Sequence, residues 1–355
     1  MSNKKIKILI VEDTAVAQKL LKGLVESDER FELVGIAENG KQAIEFVEKY
    51  TPDVVSMDIL MPIMDGVEAT RKIMQDHPTP VVIVSSFYQS SELDMAMRVL
   101  DAGAVSILPR PYGPGHTSFD KTARQYLNTL KIMSEIKVVR RKQEKSAILS
   151  KQKKSLAQYS DKEASIKKLQ AVVIGASAGG PQVLSTILSM MPSDLAVPVF
   201  VVQHIDANFA EGFAAWLNTM SKLPVKIATN GEKTLPGNVY LPPGDHHLII
   251  KPNGFIEVTK DAHEKIIRPS VDLMFKSAAN AYGHNVVAIL LSGMGKDGAA
   301  ELKNLHTLGA LTLVQEESSC LVYGMPGEAV KLGAACKILQ PEDMVKEIIN
   351  LTHTL

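Results

Sequence analysis

Short β-branched runs alternate with amphipathic stretches through the first 109 residues. The runs are Ile6 to Val11, Glu32 to Ile36, Val54 to Met57, Val81 to Ser85 and Val105 to Leu108, and between them apolar residues recur at helical spacing, as in Ala17, Leu20, Leu21 and Leu24 and again in Ala43, Ile44 and Val47. Brief apolar runs predict buried strands, and the longer periodic stretches predict helices with one apolar face. Parallel strands need a crossover, usually a helix, so the alternation predicts a five-stranded, doubly wound parallel sheet of the flavodoxin-like kind. A second α/β pattern opens at Leu169. Ala171 to Ile174 reads as a strand, Gly175-Ala176-Ser177-Ala178-Gly179-Gly180 as a loop, and Pro181 as the first position of a helix. Pro198 to Gln203 and Val286 to Ser292 read as further strands of a mostly parallel sheet.

The chain has 355 residues, which at roughly 150 residues per domain suggests two domains. Net charge is zero, but it is unevenly assembled: −4 over residues 1–136, +8 over 137–168 and −4 over 169–355. The basic stretch contains Arg140-Arg141-Lys142 and Lys151-Gln152-Lys153-Lys154 without Gly or Pro, so it reads as a solvated helical connector. The expected layout is 1–133, a linker over 134–168, and 169–355. The balanced charge gives no reason to expect a nucleic-acid partner. Apolar runs such as Val286 to Leu291 fall well short of a bilayer span. Lys4-Lys5-Ile6-Lys7 followed by Ile8 to Val11 imitates a signal sequence, but Glu12-Asp13 ends the apolar stretch too soon. A cytoplasmic protein without membrane insertion is expected. Cys320 and Cys336 form no Cys-x-x-Cys pattern and read as free thiols.

Functional groups in parallel sheets gather beyond the carboxyl ends of the strands. Glu12-Asp13 follow the first strand and Asp58 the third, so three carboxylates converge on one edge. Three adjacent negative charges are costly without a cation, and all-oxygen ligation suits Mg²⁺. Each carboxylate alone could be a helix N-cap, a reading that fits Asp13 best. Together with Asp58-Ile59-Leu60-Met61-Pro62-Ile63-Met64-Asp65-Gly66, the acidic pair makes residues 5 to 130 resemble a response-regulator receiver domain. The resemblance implies that Asp58 accepts a phosphoryl group from a histidine kinase. It further implies that Glu12, Asp13, Asp58 and the Leu60 carbonyl hold Mg²⁺, and that Ser85 is the switch hydroxyl. Where the family has Lys-Pro, this chain has Arg110-Pro111. The charge survives as a planar guanidinium, which either reaches the phosphoryl position or points to solvent.

In the second segment, Ser177 sits in a glycine-rich turn before a helix, where backbone N–H groups favour developing negative charge. The loop lacks the fingerprints of a dinucleotide or P-loop phosphate cradle. It matches Gly-x-Ser-x-Gly, the nucleophile elbow of α/β-hydrolases, but that fold places the acid before the histidine. Here His204 comes early, at the end of the next strand. Consecutive strands of a right-handed crossover commonly lie side by side, which would bring Ser177 and His204 to one edge. Asp297, in Gly293-Met294-Gly295-Lys296-Asp297-Gly298, either completes a nucleophile–base–carboxylate set or caps the helix that begins at Ala299. His246-His247 are adjacent after a turn and lack a third ligand at metal-site spacing.

With Gln203-His204, Pro243-Gly244-Asp245, Arg268-Pro269-Ser270-Val271-Asp272, Ser292-Gly293-Met294-Gly295 and Tyr323-Gly324-Met325-Pro326, residues 169–353 resemble the chemotaxis-receptor methylesterases of the CheB family. Ala178 stands where that family commonly has threonine. The resemblance implies a triad of Ser177, His204 and Asp297, an oxyanion donor at the Met294 N–H and no organic cofactor. Methyl-accepting chemoreceptors would be the substrate, demethylated at glutamate and also deamidated at glutamine by a monomeric enzyme. Two other classes compete. A DNA-binding regulator would carry a helix-turn-helix that the second segment lacks, and a non-catalytic binding module would fit a degenerate triad, which this is not.

Overall fold

A computed structural model describes residues 4–85, 90–136, 138, 168–261 and 267–353, with the backbone alone at 90–94 and 96. The basic connector, including Arg140-Arg141-Lys142 and Lys151 to Lys154, lies outside the described residues. The chain divides into two compact units.

The first unit is built from β1 (Ile6–Val11), α1 (Ala15–Glu26), β2 (Phe31–Ala37), α2 (Gly40–Tyr50), β3 (Val54–Met57), α3 (Gly66–Asp76), β4 (Val81–Ser85), α4 (Ser90–Ala102), β5 (Ser106–Pro109) and α5 (Phe119–Ser134). The strands pair in parallel in the order β2-β1-β3-β4-β5. Both faces carry helices, so β3 and β4 are buried at every position. That is why they read as continuous apolar runs and not as alternation. Ala17, Leu21 and Leu24 form the buried stripe of α1, whereas Leu20 lies at its margin.

The second unit begins with β6 (Ala171–Ala176), α6 (Gly180–Met190), β7 (Val199–Gln203), α7 (Ala210–Met220), β8 (Val225–Ile227) and β9 (Val239–Leu241). A hairpin of β10 (His247–Lys251) and β11 (Phe255–Thr259) follows, then α8 (Val271–Tyr282), β12 (Val286–Leu290), α9 (Ala299–Leu308), β13 (Leu311–Gln315), α10 (Met325–Lys331), β14 (Lys337–Leu339) and α11 (Pro341–His353). The seven-stranded sheet is parallel throughout, in the order β14-β13-β12-β6-β7-β9-β8. Its centre, β12-β6-β7, is fully buried, and each Val, Ile, Leu or Phe side chain there stabilises the unit by about 1.5–3 kcal/mol. The order reverses about β6, flanked by β7 on one side and β12 on the other. This is the switch point at which parallel sheets open a crevice beyond their carboxyl ends.

Candidate active site and receiver site

Three loops meet at that crevice. Ala176 pairs with Gln203 and Gly175 with Leu290, so the chain leaves β6 for Ser177, β7 for His204 and β12 for the Asp297 loop side by side. Ser177 N donates to Ser292 O at 3.0 Å, and His204 N donates to Ala176 O at 2.9 Å. Gly293 approaches so closely that a Cβ on it would lie 2.7 Å from Ser177 Cβ, which makes glycine obligatory there. Among the described residues, positive φ at non-glycine positions falls on Thr51, Ile63, Asp245 and Asn253. Ser177 is therefore not on the strained elbow of the α/β-hydrolases.

His204 Nε2 and Asp297 Oδ2 are 2.9 Å apart, with both side chains largely buried. Asp297 also accepts from Val271 N at 2.7 Å, Asp272 N at 3.1 Å and Ser270 Oγ at 3.0 Å. Its carboxylate thus sits on the N-terminus of α8. Burial alone would raise its pKa, but the hydrogen bond and charge of His204 with the α8 N–H groups outweigh it and lower the value to about 2. The alternative role as cap of α9 is corrected. Gly298 is the N-cap residue there, and Asp272 Oδ1 accepts from Gly298 N at 2.9 Å and Glu301 N at 3.4 Å. No hydrogen bond joins the Ser177 and His204 side chains among the described residues. Met294 follows Gly293, whose carbonyl accepts from Gly324 N and Met325 N.

Sequence reasoning gave no role to several residues in this frame. Ser270 is the N-cap of α8 and reaches Asp297. Ser292 Oγ donates to Ala178 O at 2.7 Å and accepts from Val322 N at 3.0 Å, pinning the Ser177 loop. Both stood inside the motif stretches, which was the available signal. His246 Nδ1 lies 2.7 Å from Gly244 O, while His247 is buried and accepts from Ser270 N through Nδ1 at 3.2 Å. Cys320 and Cys336 are free.

In the first unit, Glu12 and Asp58 are buried and Asp13 is exposed, and ligand oxygens of the three lie within 4.8 Å of one another. Thr14, not Asp13, occupies the N-cap of α1; its hydroxyl donates to Glu12 Oε1 at 2.6 Å. Arg110 does not point to solvent. Its Nη2 is 2.7 Å from Glu12 Oε2 and 3.1 Å from Asp58 Oδ2, and its backbone N donates to Ser85 O at 2.9 Å. Burial holds the Glu12 and Asp58 carboxyls above their ordinary values, only partly offset by hydrogen bonds from Thr14 to Glu12 and from Ser85 to Asp58 and by the Arg110 charge. Hard oxygen donors converge here under repulsion that a cation relieves. The Leu60 carbonyl accepts none of the described hydrogen bonds, so this group fits Mg²⁺.

A flavodoxin-like unit with an acidic edge, joined to a parallel α/β unit bearing serine, histidine and aspartate on adjacent strand ends, defines a response regulator whose output domain is a hydrolase. Residues 8–117 match the response regulator receiver domain, and residues 172–348 match CheB methylesterase. The chain is 43% identical over 349 residues to protein-glutamate methylesterase/protein-glutamine glutaminase 4 of Geobacter metallireducens, covering 98% of this chain and 99% of that one. It is 42% identical to the protein of the same activity from Nitrosospira multiformis, over 98% and 97% of the two chains. The solved CheB methylesterase catalytic domain of Thermotoga maritima covers 52% of this chain and 99% of its own, at 35% identity and a TM-score of 0.50. The chain belongs to the CheB methylesterase family. No helix among the described residues is long and apolar enough to cross a membrane.

Proposed function

We propose that this enzyme hydrolyses glutamate γ-methyl esters on the helical cytoplasmic portion of methyl-accepting chemoreceptors, deamidates receptor glutamines, and is activated by phosphorylation of Asp58. The observation that carries the reading is the His204–Asp297 pair beside the Ser177 loop, on three neighbouring strand ends. Asp297 accepts from Nε2–H, so Nδ1 is the nitrogen of His204 left to act as base. Nδ1 takes the Ser177 proton as Oγ attacks the ester carbonyl, and the tetrahedral oxyanion is met by the Met294 N–H. Asp297 orients the imidazole and stabilises its charged form. The C–O bond to methoxide breaks, the proton passes from His204 to the leaving oxygen and methanol departs. Water attacks the acyl-serine under the same base, restoring Ser177 and the glutamate.

Control lies in residues 1–133, joined through 134–168 to the catalytic residues 169–355. Asp58 takes the phosphoryl group from the chemotaxis histidine kinase, with Ser85 and Arg110 reading its charge. Glu12, Asp13, Asp58 and the Leu60 carbonyl would hold Mg²⁺, which when bound offsets negative charge on the phosphoryl oxygens. The enzyme works as a cytoplasmic monomer.

Methanol release from a methyl-esterified receptor tests the reading. Ser177→Ala is expected to bring release to background, a loss of roughly 10⁴-fold or more, with an unchanged thermal midpoint. Turnover equal to wild type would remove Ser177 from the reaction.

A further inference from the structure

Ser177 and His204 are not held to each other by their side chains among the described residues, so their spacing is set by the backbones that carry them. One side chain bridges those backbones. Gln203, the last residue of β7 and 5% exposed, donates from Nε2 to Ser177 O at 2.8 Å and to His204 O at 2.9 Å. Both hydrogens of one planar amide are thereby spent on the carbonyls of the two residues between which the proton is to move. The orientation of the amide is determined, because reversing it would set an oxygen against two carbonyl oxygens.

The other end of the amide bears a cost. Gln203 Oε1 is buried without a hydrogen-bond partner among the described residues. It rests against Gly180, where a Cβ would lie 2.3 Å from it, in the first turn of α6. The positive end of the helix offsets part of the unpaired charge, yet a buried orphan acceptor remains destabilising. An apolar side chain of the same shape would relieve that penalty but would leave the Ser177 and His204 carbonyls without this donor, so what glutamine supplies here is the bridge itself.

We infer that Gln203 is a positioning residue for ester hydrolysis, its amide fixing the separation of the Ser177 and His204 backbones so that Oγ and Nδ1 meet when substrate arrives. The inference rests on the reading of Ser177 as nucleophile and His204 as base. Displacements of about 1 Å cost reaction rates on the order of 100-fold, and a single rigid donor pair between two loops controls displacements of that size.

The test uses the full-length chain and methyl-esterified receptor, with methanol release as the readout. Gln203→Met, of similar shape but without donors, is expected to lower kcat by roughly 10- to 100-fold while KM stays within about twofold. Gln203→Glu keeps the shape and replaces the NH₂ by an oxygen that can donate only when protonated. Its activity is expected to be as low as that of Gln203→Met near pH 8 and to rise relative to it as pH is lowered toward about 6, a range that burial of the new carboxyl makes accessible. Taking the ratio of the two variants cancels any pH dependence that both share. A Gln203→Met enzyme with wild-type kcat overturns the inference, and so does a low kcat with a ratio flat in pH, which would mark lost packing. Should Gln203→Met fail to fold, the comparison of Gln203→Glu with wild type over the same pH range decides. Ser177→Ala run in parallel separates the two levels. If it retains turnover, the nucleophile assignment fails; if it is silent while Gln203→Met matches wild type, only the role of Gln203 fails.

Discussion

Arg110 carries a permanent charge into a pocket where two of the three carboxylates are buried. Its Nη2 contacts both Glu12 and Asp58, a pairing that a guanidinium achieves from a fixed plane and an ammonium from a point. Sequence left two directions open for this side chain, because Pro109 and Pro111 restrict its backbone without deciding its rotamer. The carboxylates decide it, since a buried charge needs a partner. Under the proposed control, Arg110→Ala removes charge-assisted contacts worth about 1.5–3 kcal/mol each. Phosphoryl incorporation at Asp58 from a small phosphodonor is expected to slow by roughly tenfold, whereas Arg110→Lys stays near wild type. Equal labelling of wild type and Arg110→Ala would take the guanidinium out of the reaction.

Among the elements, α8 and α9 exchange their caps. Asp297 precedes α9 in sequence, yet its carboxylate serves the N-terminus of α8, while Asp272 in the first turn of α8 serves the N-terminus of α9. Each helix dipole holds a carboxylate delivered by the other, which fixes Asp297 in the orientation that receives His204 Nε2. The acid stability of the catalytic unit follows. Asp297 has an ordinary value of 3.8 and about 2 in the folded chain. Its stabilisation is therefore complete above the unfolded value and lost as pH falls from there through the folded one. The loss amounts to roughly 2 kcal/mol. Trp216 in α7 is the single tryptophan of the chain and reports on this unit alone. Urea unfolding followed by its fluorescence is expected to show Asp297→Asn less sensitive to pH between about 4 and 2 than wild type. An identical slope would place the acid sensitivity elsewhere. The strands read from sequence match to within two residues, as at Glu32 to Ile36 against Phe31–Ala37, because buried parallel strands are uniform apolar runs, whereas the shorter strands β8, β9 and β14, the hairpin β10-β11 and β13 were not read. The swapped caps were not, because local spacing assigns a carboxylate to the helix that follows it.

Across the whole molecule, each unit has a sheet and a core of its own. One core cluster of the catalytic unit, which includes Val173, Phe200, Phe275 and Leu290, is drawn from residues 171–338, and Met344, Val345 and Ile348 of α11 are buried as well. A chain beginning at Leu169 is expected to fold, and if the receiver inhibits, to release methanol without phosphodonor roughly 5- to 150-fold faster than the unphosphorylated full chain, the range of ordinary coupling energies. A folded fragment that stays silent until phosphorylated receiver is added would instead mean activation by contact. The sequence by itself determined two α/β units, the strand ends at which chemistry gathers, and the order in which Asp58, Ser177, His204 and Asp297 arrive there, since hydrophobic period and motif order are local properties of a chain. Only the tertiary structure decided that Arg110 turns inward, that Asp297 serves the N-terminus of α8, that His204 turns Nε2 to Asp297 and that Gln203 bridges both loops. Those outcomes depend on partners separated by as many as 98 residues. They are settled by which buried charges and donors find each other once the strands are laid side by side, and no periodicity in the chain encodes that.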